Sequence, residues 1–378
     1  PIAFENNDRP GIMLAGAMRS YANRWAVTAA HNVAIFTNND DGHKTATDLH
    51  AAGVSIAAVV DIRQNAPPSQ DYEVIAGGQV VNSTGRLGLT SIDISLPDGS
   101  RRTLPCGALG MSGGWNPNIH ITSHHRGHPV WNEEIAAFGP PDNGPVGLSV
   151  AGAALGNFTT AGALASGSSQ ANAILKNLGI KKNKLALPLA EDAPANMTPF
   201  WYVEGCSRAW LDQQNDVTVK DVKLSHQENF VSVEHLKRYT TLGMATDQGK
   251  TSNMGGLAIM AELTGKTIPE VGTTIFRPPY TPTAIGAFAG RDRGTDFRPT
   301  RQSPSHKWAA EQGAVFVEVG MWLRAQWFPK AGETHWRESV DREVVATRKS
   351  VGICDVTTLG KIDVQGADAA TFLNKIYC

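Results

Sequence analysis

Cysteine is scarce in this chain and scattered. Cys106, Cys206, Cys354 and Cys378 form no C-x-x-C or C-x-C pair, so neither a disulfide framework nor a cysteine metal site is indicated. That sparseness fits a reducing, cytoplasmic setting, and no signal peptide is visible. A dominant charge sign is missing too. A net charge of −1 over 378 residues offers nothing to nucleic acid or to an anionic membrane. Hydrophobic residues make up 41% of the chain, yet no apolar run approaches the ~18–20 residues that cross a bilayer, so the chain is read as soluble. There are no internal repeats and no low-complexity tracts. Ser/His/Asp sets and paired carboxylates lack any recognisable sequence context. The length suits two or three domains of about 100–200 residues each.

What is there is organised around residues 32–61, NVAIFTNNDDGHKTATDLHAAGVSIAAVVD. Val33, Ala34, Ile35 and Phe36 form the short continuous apolar run of a strand buried on both faces. Asn38, Asn39 and Asp40 read as turn and N-cap residues, since their side-chain oxygens can accept from free helix amides. Residues 45–52 read as a crossover helix stopped by Gly53. A second apolar run, 54–60, ends in Asp61. Two strands joined by a helix make a right-handed parallel βαβ unit, which places ligands at the carboxyl ends of its strands. Asp61 suits a ribose hydroxyl there. The turn, however, is TNNDDG and not G-x-G-x-x-G, and its acids repel phosphate. A nucleotide seat and a purely structural half-domain both remain open.

Along the chain, residues 12–25 look helical. Strands are expected at 74–81, 91–96 and 102–105, with Pro97-Asp98-Gly99 as a hairpin turn. A further strand, 108–114, closes in GGWNPN. Residues 146–175 read as strand, glycine turn and helix. A connector at 181–200, rich in lysine and then proline, marks one boundary, and the charged stretch 291–301 marks another. Between them, helical spacing covers 220–230, 233–236 and 254–263, with Ser232 as a cap. The last part is read as a helix at 306–312, strands at 315–323, a helix at 337–348, strands around Ile353 and at 361–364, and a final helix. That helix stops mid-pattern at Cys378, and the chain begins on Pro1, as expected of a piece of a longer polypeptide.

Three stretches carry chemistry. TTLGMATDQGKTSN (240–253) puts Gly249, Lys250 and Thr251 before a helix. The spacing from Gly243 is one residue too long for a Walker A loop, and no buried strand feeds it, which argues against an NTPase. A phosphate seat of amides and charge, and a solvated polar loop, are the two readings. His120, His124, His125 and His128 could suit a metal, but Arg126 sits among them and no carboxylate follows until Glu133, so a surface loop is expected and no metal site is assigned; Asn118, Ile119 and His120 follow the Gly-Gly-Trp turn and at most face a cofactor cleft. Gly152 and Gly156 flank a strand-to-helix turn, where small residues either admit a cofactor or only tighten strand–helix packing.

The residues are also similar to known families. GGWNPN followed by GLSVAGAALGNFTTAGALASG resembles the closing segments of two-dinucleotide-domain flavoprotein reductases, with Ala153 and Ala154 where those proteins carry an acid for the flavin ribityl chain. This departure argues against a standard FAD site. More specifically, the chain resembles the alpha subunits of heterotetrameric sarcosine oxidases. The carrying stretches include PIAFENNDRPGIMLAGAMRSYANRW, VAIFTNNDDG, FVSVEHLKRYTTLGMATDQGKTSN, FRPPYTPTAIGAFAGR and VGICDVTTLGKIDVQGADAATFLNKIY.

The resemblance implies an α/β fold in three parts. These are a split reductase-like (Rossmann) dinucleotide-binding domain at 1–180 without its N-terminal part, a mainly helical middle domain at 200–290, and the opening of an aminomethyltransferase (T-protein)-like folate domain at 300–378. It implies an enzyme that oxidises sarcosine to glycine with O₂, giving H₂O₂ and, with tetrahydrofolate, 5,10-methylenetetrahydrofolate. The implied cofactors are NAD, an FMN shared with the beta subunit, tetrahydrofolate, and an FAD on that partner subunit. The implied partners are beta, gamma and delta subunits. Thr240, Thr246, Gln248, Lys250 and Thr251 would face FMN, and Gly113, Gly114, Gly152 and Gly156 would border the NAD cleft. The glycine fingerprint for the NAD pyrophosphate and most folate positions are not in this chain. With only Cys206 in the middle region, the iron–sulfur cluster of related amine dehydrogenases is not expected. No catalytic residue is assigned, and this chain by itself is expected to be inactive. Two alternatives stay open: a non-catalytic binding and assembly subunit, and a subunit of a dehydrogenase for another secondary amine such as dimethylglycine or an opine.

Overall fold

The central sheet is built from the apolar runs that the sequence marks most strongly. The computed structural model describes residues 1–123, 127–142, 144–181, 186–192, 195–205, 208–277, 281–291, 294 and 299–377. Strand β1 (Ile12–Leu14), helix α1 (Ala15–Trp25), strand β2 (Asn32–Thr37), helix α2 (Asp40–Ala51) and strand β3 (Ser55–Asp61) open the chain. They are followed by β4 (Val74–Ala76), β5 (Gln79–Thr84), β6 (Ser91–Ser95), β7 (Arg101–Pro105) and β8 (Ala108–Ser112). Five of these strands make a parallel sheet in the order β1-β8-β2-β3-β4. Strands β5, β6 and β7 form a separate antiparallel sheet, with the expected turn between the last two.

Successive side chains on a strand point to opposite faces, and both faces are used. Val33, Ile35 and Val59 pack with Met18, Ala46 and Leu49 of α1 and α2. Ala34, Phe36, Ala58 and Val60 turn the other way, against Ile92, Ile94 and Leu104 of the antiparallel sheet. Phe4 meets Phe36 edge-on at 6.0 Å. The N-cap is Asn39, whose side chain accepts from the amides of Asp41 and Gly42. One expectation fails at the start. Residues 12–14 are not helix but strand, because Ile12 pairs with Leu109 and extends the sheet beyond β8. A short apolar run is open to either state, and here the vacant sheet edge decides it.

Next come β9 (Val130–Asn132), β10 (Ala137–Gly139) and, after a 3₁₀ turn at Gly152–Leu155, α3 (Thr160–Asn177). The strand expected before that turn does not form. Val146 and Leu148 are exposed and find no partner strand among the described residues. Strands β11 (Trp210–Asp212) and β12 (Val217–Thr218) then lead into α4 (Val219–Gln227), α5 (Val233–Thr240), α6 (Asn253–Thr264) and α7 (Ile268–Val271). Thr218 and Asp221 close a capping box on α4. Ser232 stands at the N-cap of α5 but makes no side-chain cap bond. Leu257, Ala258, Ile259, Met260 and Ala261 are all buried, so α6 is a core helix covered on every side.

The chain divides into two compact units, Pro1–Pro282 and Thr283–Cys378. The second holds α8 (Ile285–Ala289), β13 (Arg301–Gln302), α9 (His306–Glu311), β14 (Val315–Val319), β15 (Trp322–Trp327), α10 (Trp336–Lys349) and α11 (Ala369–Ile376). Its sheet runs β13-β15-β14. The strands expected around Ile353 and at 361–364 are not paired among the described residues, and Ile353 and Ile362 are 99% and 88% exposed. No helix among the described residues is long and apolar enough to cross a membrane.

Candidate functional site

Strand β8 is buried along its length and delivers Gly113-Gly114-Trp115 to the carboxyl edge of the parallel sheet, the edge where α/β folds seat ligands. A cavity of about 300 Å³ opens there. Gly113, Gly114 and Trp115 form one wall, Gly249, Lys250, Thr251 and Asn253 a second, and Phe138, Trp201 and Phe276 supply aromatic surface. Gly114 has φ +92° and a Cβ there would overlap Met197 Sδ, so only glycine fits.

The second wall is a loop shaped by its own polar groups. Thr241, Gly243, Gln248 and Gly249 all adopt positive φ. Asp212, buried at the end of β11, accepts from Gly243 N at 2.9 Å with one oxygen, and from Gln214 N and Asn215 N with the other. Asp247 accepts from Gly249 N and Thr251 Oγ1, both at 3.2 Å. The Asn253 side chain fills the space where a Cβ on Gly243 or Gly249 would stand. This loop feeds the N-terminus of α6, which points its first turn at the cavity through Asn253, Met254 and Gly255.

The loop residues expected to face a cofactor therefore separate into two groups. Lys250 and Thr251 line the cavity, in company with Gly113 and Gly114. Thr240 Oγ1 donates to Leu236 O, Thr246 Oγ1 donates to Gln214 Oε1, and Gln248 Oε1 accepts from Arg277 N. None of those three is in the cavity wall. Gly152 and Gly156, with φ +63° and +95°, shape the turn before α3 and also lie outside the wall. A smaller cavity of about 160 Å³ adjoins, lined by Asp40, Lys44, Glu134, Phe158, Thr160 and Glu191 among others. Asp41, Gly114, Trp115 and Met197 border both cavities.

Residues missed by sequence reasoning are Met197, Asn253 and Phe276. Asn253 ends the polar run that drew notice to the loop, but Met197 carries no local signal. His120 departs from the surface-loop expectation and takes the alternative place, facing the cleft. It is buried in the cavity wall, with Nδ1 2.8 Å from Asn118 Oδ1 and its ring 3.9 Å from that of Phe276. His128 is exposed, and His124 and His125 lie outside the described residues, as does Cys206. Among the described residues no group of His, Cys, Asp or Glu is arranged to hold a metal ion.

Asp61 is not a ribose ligand. It is fully buried, receives a hydrogen bond from His43 Nε2 at 2.7 Å, and is held by Arg63 through both Nε and Nη2. Arg63 Nη1 reaches on to Asp40 at 2.8 Å. Burial pushes the Asp61 carboxyl up, but the bonds from His43 and Arg63 more than offset this and hold it below its ordinary value. The turn after β2 is covered as well. Residues 195–198 run across it, with Asn196 and Asp40 exchanging bonds and Thr198 bonded twice to Asn38. The chain's own backbone thus fills the crossover turn, and the amides of Asp41 and Gly42 are taken by Asn39.

Two family models match. Residues 206–291 match the sarcosine oxidase A3 domain and residues 305–378 the GCVT N-terminal domain. The whole chain is 45% identical over 385 aligned residues to sarcosine oxidase subunit alpha of Rhizobium meliloti (strain 1021), covering 39% of that protein. It is 40% identical over 400 to the subunit of that name from Corynebacterium sp. (strain P-1), covering 41% of it. The chain thus spans about two fifths of these relatives' length. Among solved structures, L-proline dehydrogenase from P. horikoshii aligns with a TM-score of 0.59 and 20% identity, over 76% of this chain and 55% of that one, a likeness of fold alone.

Proposed function

The chain belongs to the sarcosine oxidase alpha-subunit family, and from that premise we propose that it serves a multi-subunit enzyme oxidising sarcosine to glycine. O₂ takes up the two electrons and two protons as H₂O₂, and tetrahydrofolate takes the one-carbon unit as 5,10-methylenetetrahydrofolate. In this reading the amine is oxidised at an FAD on the beta subunit, and gamma and delta subunits complete the assembly. The first unit offers a cofactor cleft, and residues 305–378 contribute to folate handling. In this reading the chain has three parts, 1–180, 200–290 and 300–378.

The observation that carries the reading is the meeting of two stretches far apart in sequence. Gly113-Gly114, expected at an NAD cleft, and Lys250-Thr251, expected at FMN, line one cavity. Its residues fit the ring end of a planar cofactor. Trp115, Phe138 and Phe276 offer apolar and stacking surface, the glycines allow close backbone approach, and Lys250 beside the α6 N-terminus favours an anionic group. The residues do not fit a pyrophosphate at the β2–α2 turn, where Asp40, Asp41 and the 195–198 segment take its place. A bound flavin supplies electron transfer. The side chains here bind it, orient it and keep water from its ring.

Lys250→Ala tests this in the assembled enzyme. FMN content falls, together with the oxidase rate, while subunit composition stays the same. Unchanged FMN content and rate refute the assignment of the loop.

A further inference from the structure

The two cavities at the carboxyl edge of the sheet share a border of Asp41, Gly114, Trp115 and Met197, and the Met197 position is fixed by its neighbours on both sides. Met197 borders both cavities, and its sulfur lies where a Cβ of Gly114 would stand. Its backbone is bridged antiparallel to Asn39. On one side Asn196 N donates to Asp40 Oδ2 at 2.9 Å, while Asn196 O accepts from Asp40 N at 3.0 Å and Arg63 Nη1 at 3.3 Å. On the other, Thr198 N donates to Asn38 O at 2.9 Å and Asn38 Nδ2 donates to Thr198 O at 2.8 Å. The buried Asp61–Arg63–Asp40 chain is thus the anchor of a strap, and Met197 is what the strap presents.

We propose that Met197 is a partition residue that sets the length of ligand the main cavity admits. The inference rests on reading that cavity as the seat of a planar cofactor ring. At about 300 Å³ the main cavity stands at the lower end of the ~300–1,000 Å³ usual for ligand pockets. Its wall is mostly apolar, with Leu14, Met111 and Trp115 among its residues. The smaller cavity is of another character. Glu134, Glu191, Thr159, Thr160 and Lys44 are among its lining residues, groups that bond hydroxyls. A ligand that joins a planar ring to a polyhydroxyl chain matches the two in series, and Met197 borders both. Asp61 and Arg63 act as positioning residues through the strap and line neither cavity, whereas Asp40 both holds the strap and borders the smaller cavity. Methionine suits the role because it is unbranched and fills irregular gaps.

The test uses the full chain, with lumiflavin as the ring alone and riboflavin as ring plus ribityl chain, both read by quenching of flavin fluorescence. In the wild type the two bind with similar affinity. In Met197→Ala the riboflavin-to-lumiflavin affinity ratio rises about tenfold, the worth of one hydrogen bond to a charged group. Met197→Leu, which restores the apolar volume, returns the ratio to the wild-type value. A ratio unchanged in Met197→Ala overturns the proposal. If neither flavin binds any of the three proteins, the planar-cofactor reading is what fails. The partition is then judged from a crystal structure of Met197→Ala, where one continuous cavity supports it and two separate cavities refute it.

Discussion

Asp61 and Arg63 lie two residues apart, yet they decide what the carboxyl edge of the sheet can do. Their side chains are 0% and 8% exposed, so the pair depends on its geometry rather than on solvent. Removing one partner of a buried ion pair strands the other and costs about 3–5 kcal/mol, far more than losing a surface pair. Arg63→Ala is expected to lower the unfolding free energy near neutral pH by that order, read as a lower urea midpoint. The sign with pH follows from the depressed Asp61 value. Its contribution is complete above the unfolded carboxylate value of about 4 and is lost as pH falls through the folded one. The wild-type advantage over Arg63→Ala therefore shrinks on acidification, and unfolding curves across acid pH read it. The sequence marks Asp61 as special but not its partners. An acid at a strand end looks the same whether a ribose or a buried arginine awaits it, and the placement of His43, a turn into α2, depends on helix phase.

The loop between α5 and α6 makes the same point for an element. Its residues were conspicuous as a glycine, a lysine and a run of hydroxyls, and the helix that follows was evident from its spacing. The direction of each side chain was not evident, because it depends on four left-handed backbone positions and on Asp212, far back in the chain. Thr240 and Thr246 are consumed in holding the loop, whereas Lys250 and Thr251 reach the cavity. Gly249→Ala forces a Cβ onto the Asn253 side chain at φ +71°. The left-handed conformation alone costs roughly 1–2 kcal/mol for alanine. We expect a loss of stability of at least that size in urea unfolding, accompanied by weaker cofactor retention. Strands were legible where a neighbour completed them, as for β2 and β3. At residues 12–14, and at the start of 146–175, the presence or absence of a pairing edge decides between equal local patterns.

For the whole molecule, the division at Pro282 and Thr283 sets the expectation for unfolding. Units with separate cores melt as separate cooperative blocks. Calorimetry of this chain should resolve two transitions, and Arg63→Ala should move only the one that belongs to Pro1–Pro282. A single transition shifted as a whole contradicts this. The first unit has the deeper core, with its sheet packed on both faces and α6 enclosed. The second leaves Ile353, Ile362 and much of β14 open to solvent, so its transition is the lower in temperature.

The strap over the β2–α2 turn has one more consequence. A turn left open to water and ordered only by its ligand spends part of the binding free energy on its own stiffening. Here the segment 195–198 has done that already, at folding, by bonding to Asn38 and Asp40. This edge of the sheet thus enters every encounter with a cofactor in its final shape. Whatever binds beside it meets a preorganised wall, and the entropy of ordering that wall no longer weighs on affinity.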